Sequence, residues 1–213
     1  MSVITLYPTN EAPVDAFFPN NNFGYLPYGI LGCAPSSPGV DGPQRMWYGF
    51  DTSSIPVNAR ISSAYFNYIL YLFYPGGFYG KLGFDVQQYY ETVWSQGTIT
   101  WNNAPNDDVD ERISTSFYHE FYVNTENLIY PNPLDLTFDV QRAFRSGHVA
   151  WRMKAQTENN SYGCFLAGTR WWMGWSQPYY YTAPHPSAPH QPSLVVTYTT
   201  PRRAWTTFSG LFA

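Results

Sequence analysis

Charge is scarce in this 213-residue chain: Asp, Glu, Lys and Arg together make up 12% of it, against about 25% in ordinary globular domains. The 11 basic and 15 acidic residues leave a net charge of −4. The basic footprint of a nucleic-acid binder is therefore missing, and nucleic acid is not expected as a partner. Long hydrophobic runs are missing too: nothing approaches the ~18 apolar residues of a membrane-spanning helix, so membrane insertion is not expected. The opening MSVITLYPTNEAP has no basic region ahead of an apolar core. It is not read as a secretory signal, which predicts folding in the compartment of synthesis. Cysteine is limited to Cys33 and Cys164, far apart and without metal-ligand spacing; two buried thiols are expected rather than a bridge. Nucleophile elbow, phosphate loop and zinc-protease motif are all lacking, and His119-Glu120 has no second histidine to complete a zinc pair. No cofactor and no enzymatic activity are expected.

Aromatic residues, by contrast, make up 20% of the chain, which argues against a disordered chain. The core pattern starts at Arg45–Tyr68. Met46, Tyr48 and Phe50 alternate with Arg45, Trp47 and Gly49, the period-two signature of a strand. Asp51 to Pro56 form a polar turn, in which Asp51 serves the turn or pairs with Arg45. A long strand then places Ala64, Phe66, Tyr68, Leu70 and Leu72 on one face. Further strands are predicted over residues 3–7, 81–89, 113–123, 148–155 and 193–199. Leu82, Phe84 and Val86 point inward, with Lys81, Asp85 and Gln87 outward. His148–Ala155 alternates Val149, Trp151, Met153 and Ala155 against Ala150, Arg152 and Lys154, and reads as amphipathic. Residues 8–44 read as an irregular connection with one or two short strands. One helix is predicted over 138–146, capped by Thr137, with Asp139 in its first turn, Val140, Ala143 and Phe144 inward, and Gly147 at its end. The sum is an all-β, jelly-roll-like antiparallel β-sandwich with one short helix. It forms a single domain over residues 1–200, and an apolar tail over 201–213 docks on the domain or on a partner.

RMWYGFDTSSIPVNARISSAYF resembles the signature of DNRLRE-type domains, with Arg45, Phe50, Asp51, Ser53 or Ser54, Ile55, Pro56, Ala59, Ile61 and Ala64 in the signature places. VWSQGTITWNNAP is similar to a second family motif through Trp94, Ser95, Thr100, Trp101, Asn102, Asn103 and Pro105, with Gln96 where the family usually has an acid. LDLTFDVQRAF and PSLVVTY resemble its later elements. The resemblance implies a sandwich like those of carbohydrate-binding modules, or of cell-surface and virion proteins, and places Trp94 and Trp101 in the core.

The binding candidates are the rings of Trp171, Trp172, Trp175, Tyr179, Tyr180 and Tyr181, in a Pro-rich aromatic loop. Such rings serve subunit contacts, sugar contacts or loop packing. Trp205, Phe208, Leu211 and Phe212 of the tail are the subunit-interface candidates. Asp107, Asp108, Asp110 and Glu111 have the oxygens of a calcium loop and equally those of a solvated loop. His185 and His190, in the Pro-rich loop, are weak metal candidates, and no metal site is expected. The expected role is a non-enzymatic structural subunit of an extracellular assembly: a virion decoration, tail or fibre protein, homo-oligomeric, with glycan as a second partner class. It acts on the virion or extracellular surface after folding in the cytoplasm. The alternative is a carbohydrate-binding module or adhesin.

Overall fold

The structure, a computed structural model, describes residues 1–26, 28–33, 43–68, 70–73, 80–89, 94–105, 112–121, 128–129, 132–156, 163–168 and 192–201. The strands are β1 (Ser2–Leu6), β2 (Pro8–Asp15), β3 (Tyr28–Cys33), β4 (Pro43–Asp51), β5 (Arg60–Asn67), β6 (Leu70–Phe73), β7 (Gly80–Tyr89), β8 (Arg112–Phe121), β9 (Leu128–Ile129), β10 (Leu134–Asp135), β11 (His148–Ala155), β12 (Gly163–Gly168) and β13 (Ser193–Thr199). A helix α1 (Thr137–Ala143) runs into a 3₁₀ turn over Phe144–Ser146. Every strand pairing is antiparallel. One sheet has four strands in the order β1-β13-β5-β10. The other has nine, in the order β8-β7-β11-β4-β3-β12-β6-β9, with β2 added on β4. This is the expected all-β sandwich.

The core lies between the sheets because both supply an alternating apolar face. Met46, Tyr48 and Phe50 of β4 and Val149, Trp151 and Met153 of β11 meet Ala64 and Phe66 of β5 and Leu194 and Val196 of β13; all are buried. Phe66 is the hub ring, edge-on to Tyr48 at 5.1 Å and to Phe50 at 5.8 Å, and stacked with Tyr68 at 5.7 Å. Fully burying one such ring contributes about 1.5–3 kcal/mol.

Four expectations change. The long strand after Ile61 is two: β5 ends at Asn67 in the small sheet, and β6 restarts at Leu70 in the large one. The alternation continues through the crossover, so periodicity alone cannot reveal it. Residues 8–44 do hold the two strands allowed for, β2 and β3, but β2 is not short: it runs for 8 residues along β4 despite Pro8 and Pro13; only one edge of β2 pairs with a described strand, so two missing N–H groups are tolerated. Thr137 does not cap α1. The cap position is Leu136, with no side-chain cap bond, while the Thr137 hydroxyl accepts the Ala64 N–H at 2.9 Å. The polar faces of β7 and β11 are not solvent-facing either: Asp85, Gln87, Ala150 and Arg152 are all buried.

Helix α1 turns Val140, Ala143 and the following Phe144 inward and ends at Gly147, whose φ of 82° suits glycine. Asp139 does more than complement the helix dipole. It is buried, accepts the Trp151 Nε1–H at 2.9 Å through its carboxylate, and accepts Gln88 Nε2 at 3.1 Å through its backbone carbonyl. Cys33 lies opposite Gly163 and Cys164 opposite Gly32, on successive rungs of one ladder.

A candidate binding platform on the outer face

The outward face of β4 carries Trp47, which is fully buried. It packs with Ala12 and Val14 of β2 and with Trp94 and Ile99 in a second apolar cluster, flanked by Trp101 and Ala104. Trp47 and Trp94 meet edge-on at 6.0 Å. Trp94 is thus buried, as expected, but under the large sheet rather than between the sheets. Trp101 is half-buried with the Arg45 guanidinium 4.4 Å above its ring, a cation–π contact. Asp51 serves its turn: hydrogen bonds from the Ser53 side chain and then from the Ser53 N–H, at 2.8 Å, hold its carboxyl below the ordinary range. Beside Trp47, Arg152 is fully buried and donates to Gln87 Oε1.

A loop without regular strand or helix, residues 94–105, covers this face, and side-chain amides lace it to a second such loop, residues 16–26. Asn22 Nδ2 donates to the Gln96 carbonyl at 2.9 Å and to the Ile99 carbonyl at 2.6 Å. Gln96 Nε2 donates to the Gly24 carbonyl, and the Gln96 N–H reaches Asn10 Oδ1 at 3.1 Å. The Asn102 N–H bonds the Pro19 carbonyl at 3.0 Å, and its side chain bonds Asn20 at 2.8 Å. Asn103 closes its own turn through Thr100 N–H and the Thr98 carbonyl. A side chain on Gly24 would run into the Gln96 backbone, so glycine is required for the close approach. Gln96 stands where the resemblance puts an acid; a carboxylate could not donate to the Gly24 carbonyl.

The result is a platform presenting Phe17 (43% exposed), Phe18 (47%), Tyr25 (64%) and Leu26 (42%) to solvent. Phe17 and Phe18 meet edge-on at 4.6 Å, and Phe18 lies 6.3 Å from Phe23. Asn20, Asn21, Asn102 and Asn103 are exposed around these rings, and neither loop contains a charged residue. Chemically it offers apolar ring faces with neutral donors and acceptors. The sequence carried the signal in FPNNNFGYL, aromatics spaced by Asn and Gly, but this stretch reads locally as a connection only.

Away from the platform, Glu11 and Tyr48 face each other in the β2–β4 register, both fully buried. Burial pushes the Tyr48 phenol well above its ordinary value, and the nearby Glu11 charge and Tyr68 push the same way. Burial raises Tyr68 as well. Both phenols stay protonated at neutral pH.

The earlier candidates Trp171, Trp172, Trp175, Tyr179, Tyr180 and Tyr181, the tail residues Trp205, Phe208, Leu211 and Phe212, the acidic run Asp107, Asp108, Asp110 and Glu111, and His185 and His190 all lie outside the described residues. Among the described residues no cluster of three or more His, Cys, Asp or Glu is placed to hold a metal ion, and no helix is long and apolar enough to cross a membrane. No protein-family model matches the chain, and no curated protein matches it.

Proposed function

We propose that the protein is a non-enzymatic structural subunit of an extracellular assembly, a virion decoration, tail or fibre protein, that works by docking aromatic surface against neighbouring subunits. One observation carries this reading: Phe17, Phe18, Tyr25 and Leu26 are held exposed on a laced, uncharged platform. Interfaces are enriched in aromatics and depleted of charge at their centres. Holding the rings in place before contact lowers the ordering cost of association. The DNRLRE-type resemblance of Arg45–Ala64 points to the same class of outward-facing sandwich. The aromatic loop with Trp171, Trp172 and Trp175 and the tail with Trp205 and Phe208 are further contact surfaces in this reading.

The test is the particle mass of the full chain by sedimentation, against the variant Phe17→Ser, Phe18→Ser, Tyr25→Ser. The wild type associates, and the variant keeps the wild-type circular dichroism but loses at least tenfold in association, since hot-spot aromatics cost ~2 kcal/mol or more each. A wild type that stays monomeric at high concentration sinks the proposal.

A second reading, carbohydrate recognition, draws on the exposed amides of Asn20, Asn21 and Asn102 beside ring faces. Rings cover apolar sugar faces while neutral amides bond hydroxyls. Calorimetric titration with neutral polysaccharides checks it. Loss of binding in Tyr25→Ala places the sugar on the platform, whereas loss only in a variant with Trp171, Trp172 and Trp175 changed to Ala places it on the loop.

A further inference from the structure

The two edges of the four-stranded sheet are finished differently. At one edge, β10 is only two residues long, and beyond it the chain itself seals β5: Ala64 gives its N–H to the Thr137 hydroxyl at 2.9 Å and takes the Leu136 N–H on its carbonyl at 2.9 Å. At the other edge stands β1, five residues long and paired to β13 without a register break. Natural edge strands are blunted by charge, proline, a bulge or a cover. Ser2–Leu6 has no charged residue and no proline, and nothing among the described residues pairs with its outer side.

The direction of the free groups follows from the register. In an antiparallel ladder, a residue sends its N–H and carbonyl to the same side, and the sides alternate along the strand. Ala64 points towards β10, so Tyr65 points to its partner Val195, and Val195 points back to β5. Val196 therefore points to Ile4, and Val3 and Thr5 direct their N–H and carbonyl groups outward. The Ser62 hydroxyl bond to the Thr197 carbonyl at 3.0 Å agrees, since it places that carbonyl on the β5 side. The Val3 side chain is 65% exposed, and Ile4 is a partly buried member of the inter-sheet core, which is thus still open at this edge.

We propose that β1 pairs edge to edge with β1 of a second copy, antiparallel about a two-fold axis through Ile4. Val3 of each copy then sits opposite Thr5 of the other. Both residues face outward, so each such pair exchanges two hydrogen bonds, four in all, and the two small sheets become one eight-stranded sheet. Ile4 meets its own symmetry mate at the centre and closes the open end of both cores. The occupant is a second copy because the strand complements itself: Val3 and Thr5 between them offer both the donors and the acceptors that the contact needs, and, with no charge in Ser2–Leu6, no like charges meet across the axis. This contact rests on the assembly reading above and names one of its interfaces.

Two variants of the full chain test it. Thr5→Pro removes an outward N–H without touching the bond ladder to β13, a change edge strands tolerate. By symmetry it deletes two of the four bonds, and the dimer dissociation constant by sedimentation rises roughly tenfold or more. Ile4→Cys places two thiols across a non-hydrogen-bonded pair, whose Cα separation of about 4.5 Å lies within disulfide range. Mild oxidation should convert it to a covalent dimer on a non-reducing gel, where the wild type, with its Cys33 and Cys164, gives none. Association unaffected by Thr5→Pro, with no Ile4→Cys cross-link, overturns the β1 pairing and leaves the assembly reading standing. A wild type that never associates overturns both.

Discussion

On one face of β4, Met46, Tyr48 and Phe50 meet another sheet; on the other, Trp47 meets Trp94 and Ile99 of a loop that is itself tied to a second loop. The first face is buried strand against strand, and its contacts belong to residues that also hold the ladders. The second is buried largely by chain without regular structure, which stays in place through Asn22, Gln96 and Asn102 bonding backbone groups 72 to 83 residues away. A loop of this kind should open without global unfolding, whereas the inter-sheet face should not. The exposed rings of the platform sit on the separable layer, so their presentation can be weakened without dissolving the sandwich.

The largest effect is expected on the inner face. Trp151→Ala empties a fully buried site and leaves Asp139 without the indole donor. A loss of about 3–5 kcal/mol is expected in urea unfolding, with all probes changing together. If hydrogen exchange instead shows the core strands opening separately, the inner face is not one cooperative unit. A smaller, local effect is expected from Gln96→Glu, which deletes the donor to the Gly24 carbonyl and buries an acid against it. About 1–3 kcal/mol is expected for such a group, with exchange protection lost in residues 16–26 and 94–105 and retained in β11. Asn22→Ala should do the same, since it removes two donors at once. Uniform loss of protection across both faces would erase the distinction between them.

Much of the inner face was legible because alternation is enforced wherever one side of a strand must be dry. Val149, Trp151 and Met153, and Leu194 and Val196, follow that rule, and each falls inside. Strand β2 was not legible: Pro8, Pro13 and Glu11 argue against a strand, and only its pairing with β4 makes it one. Arg152 illustrates the other failure. A charged residue on the far side of an amphipathic strand reads as solvent-facing, and what buries it comes from remote segments. The platform was hidden for the same reason. Its aromatics and amides are plain in the sequence, but bonds between residue 22 and residues 96 and 99 leave no local pattern. The candidate residues drawn from the aromatic loop and tail stand outside the described residues.

The subtlest expected effect sits where the two faces meet at the end of β11. His148 lies opposite Asp51 in the ladder and is half-buried. Its Cε1 lies so close to Gly49 that a side chain there would approach it to 3.0 Å, and its buried Nε2 has no hydrogen-bond partner among the described residues. Burial lowers the imidazole below its ordinary 6.5, against the opposing pull of the Asp51 charge and a hydrogen bond to the Phe50 backbone. The unfolded chain therefore takes up its proton at a higher pH than the folded one. Stability from this site is complete above about pH 6.5 and declines as pH falls from there to the folded value, because in that window the unfolded state binds more protons. Asp51, with its carboxyl held low, loses its contribution only as pH falls through 3.8 and below. Asp15, raised by burial, acts in the opposite sense above 3.8, but is common to wild type and variant. Urea unfolding between pH 7.5 and 5 should therefore show a steeper loss in the wild type than in His148→Gln. Equal slopes would mean that the imidazole is protonated as readily in the folded protein as in the unfolded chain, and that the packing around Gly49 does not exclude charge.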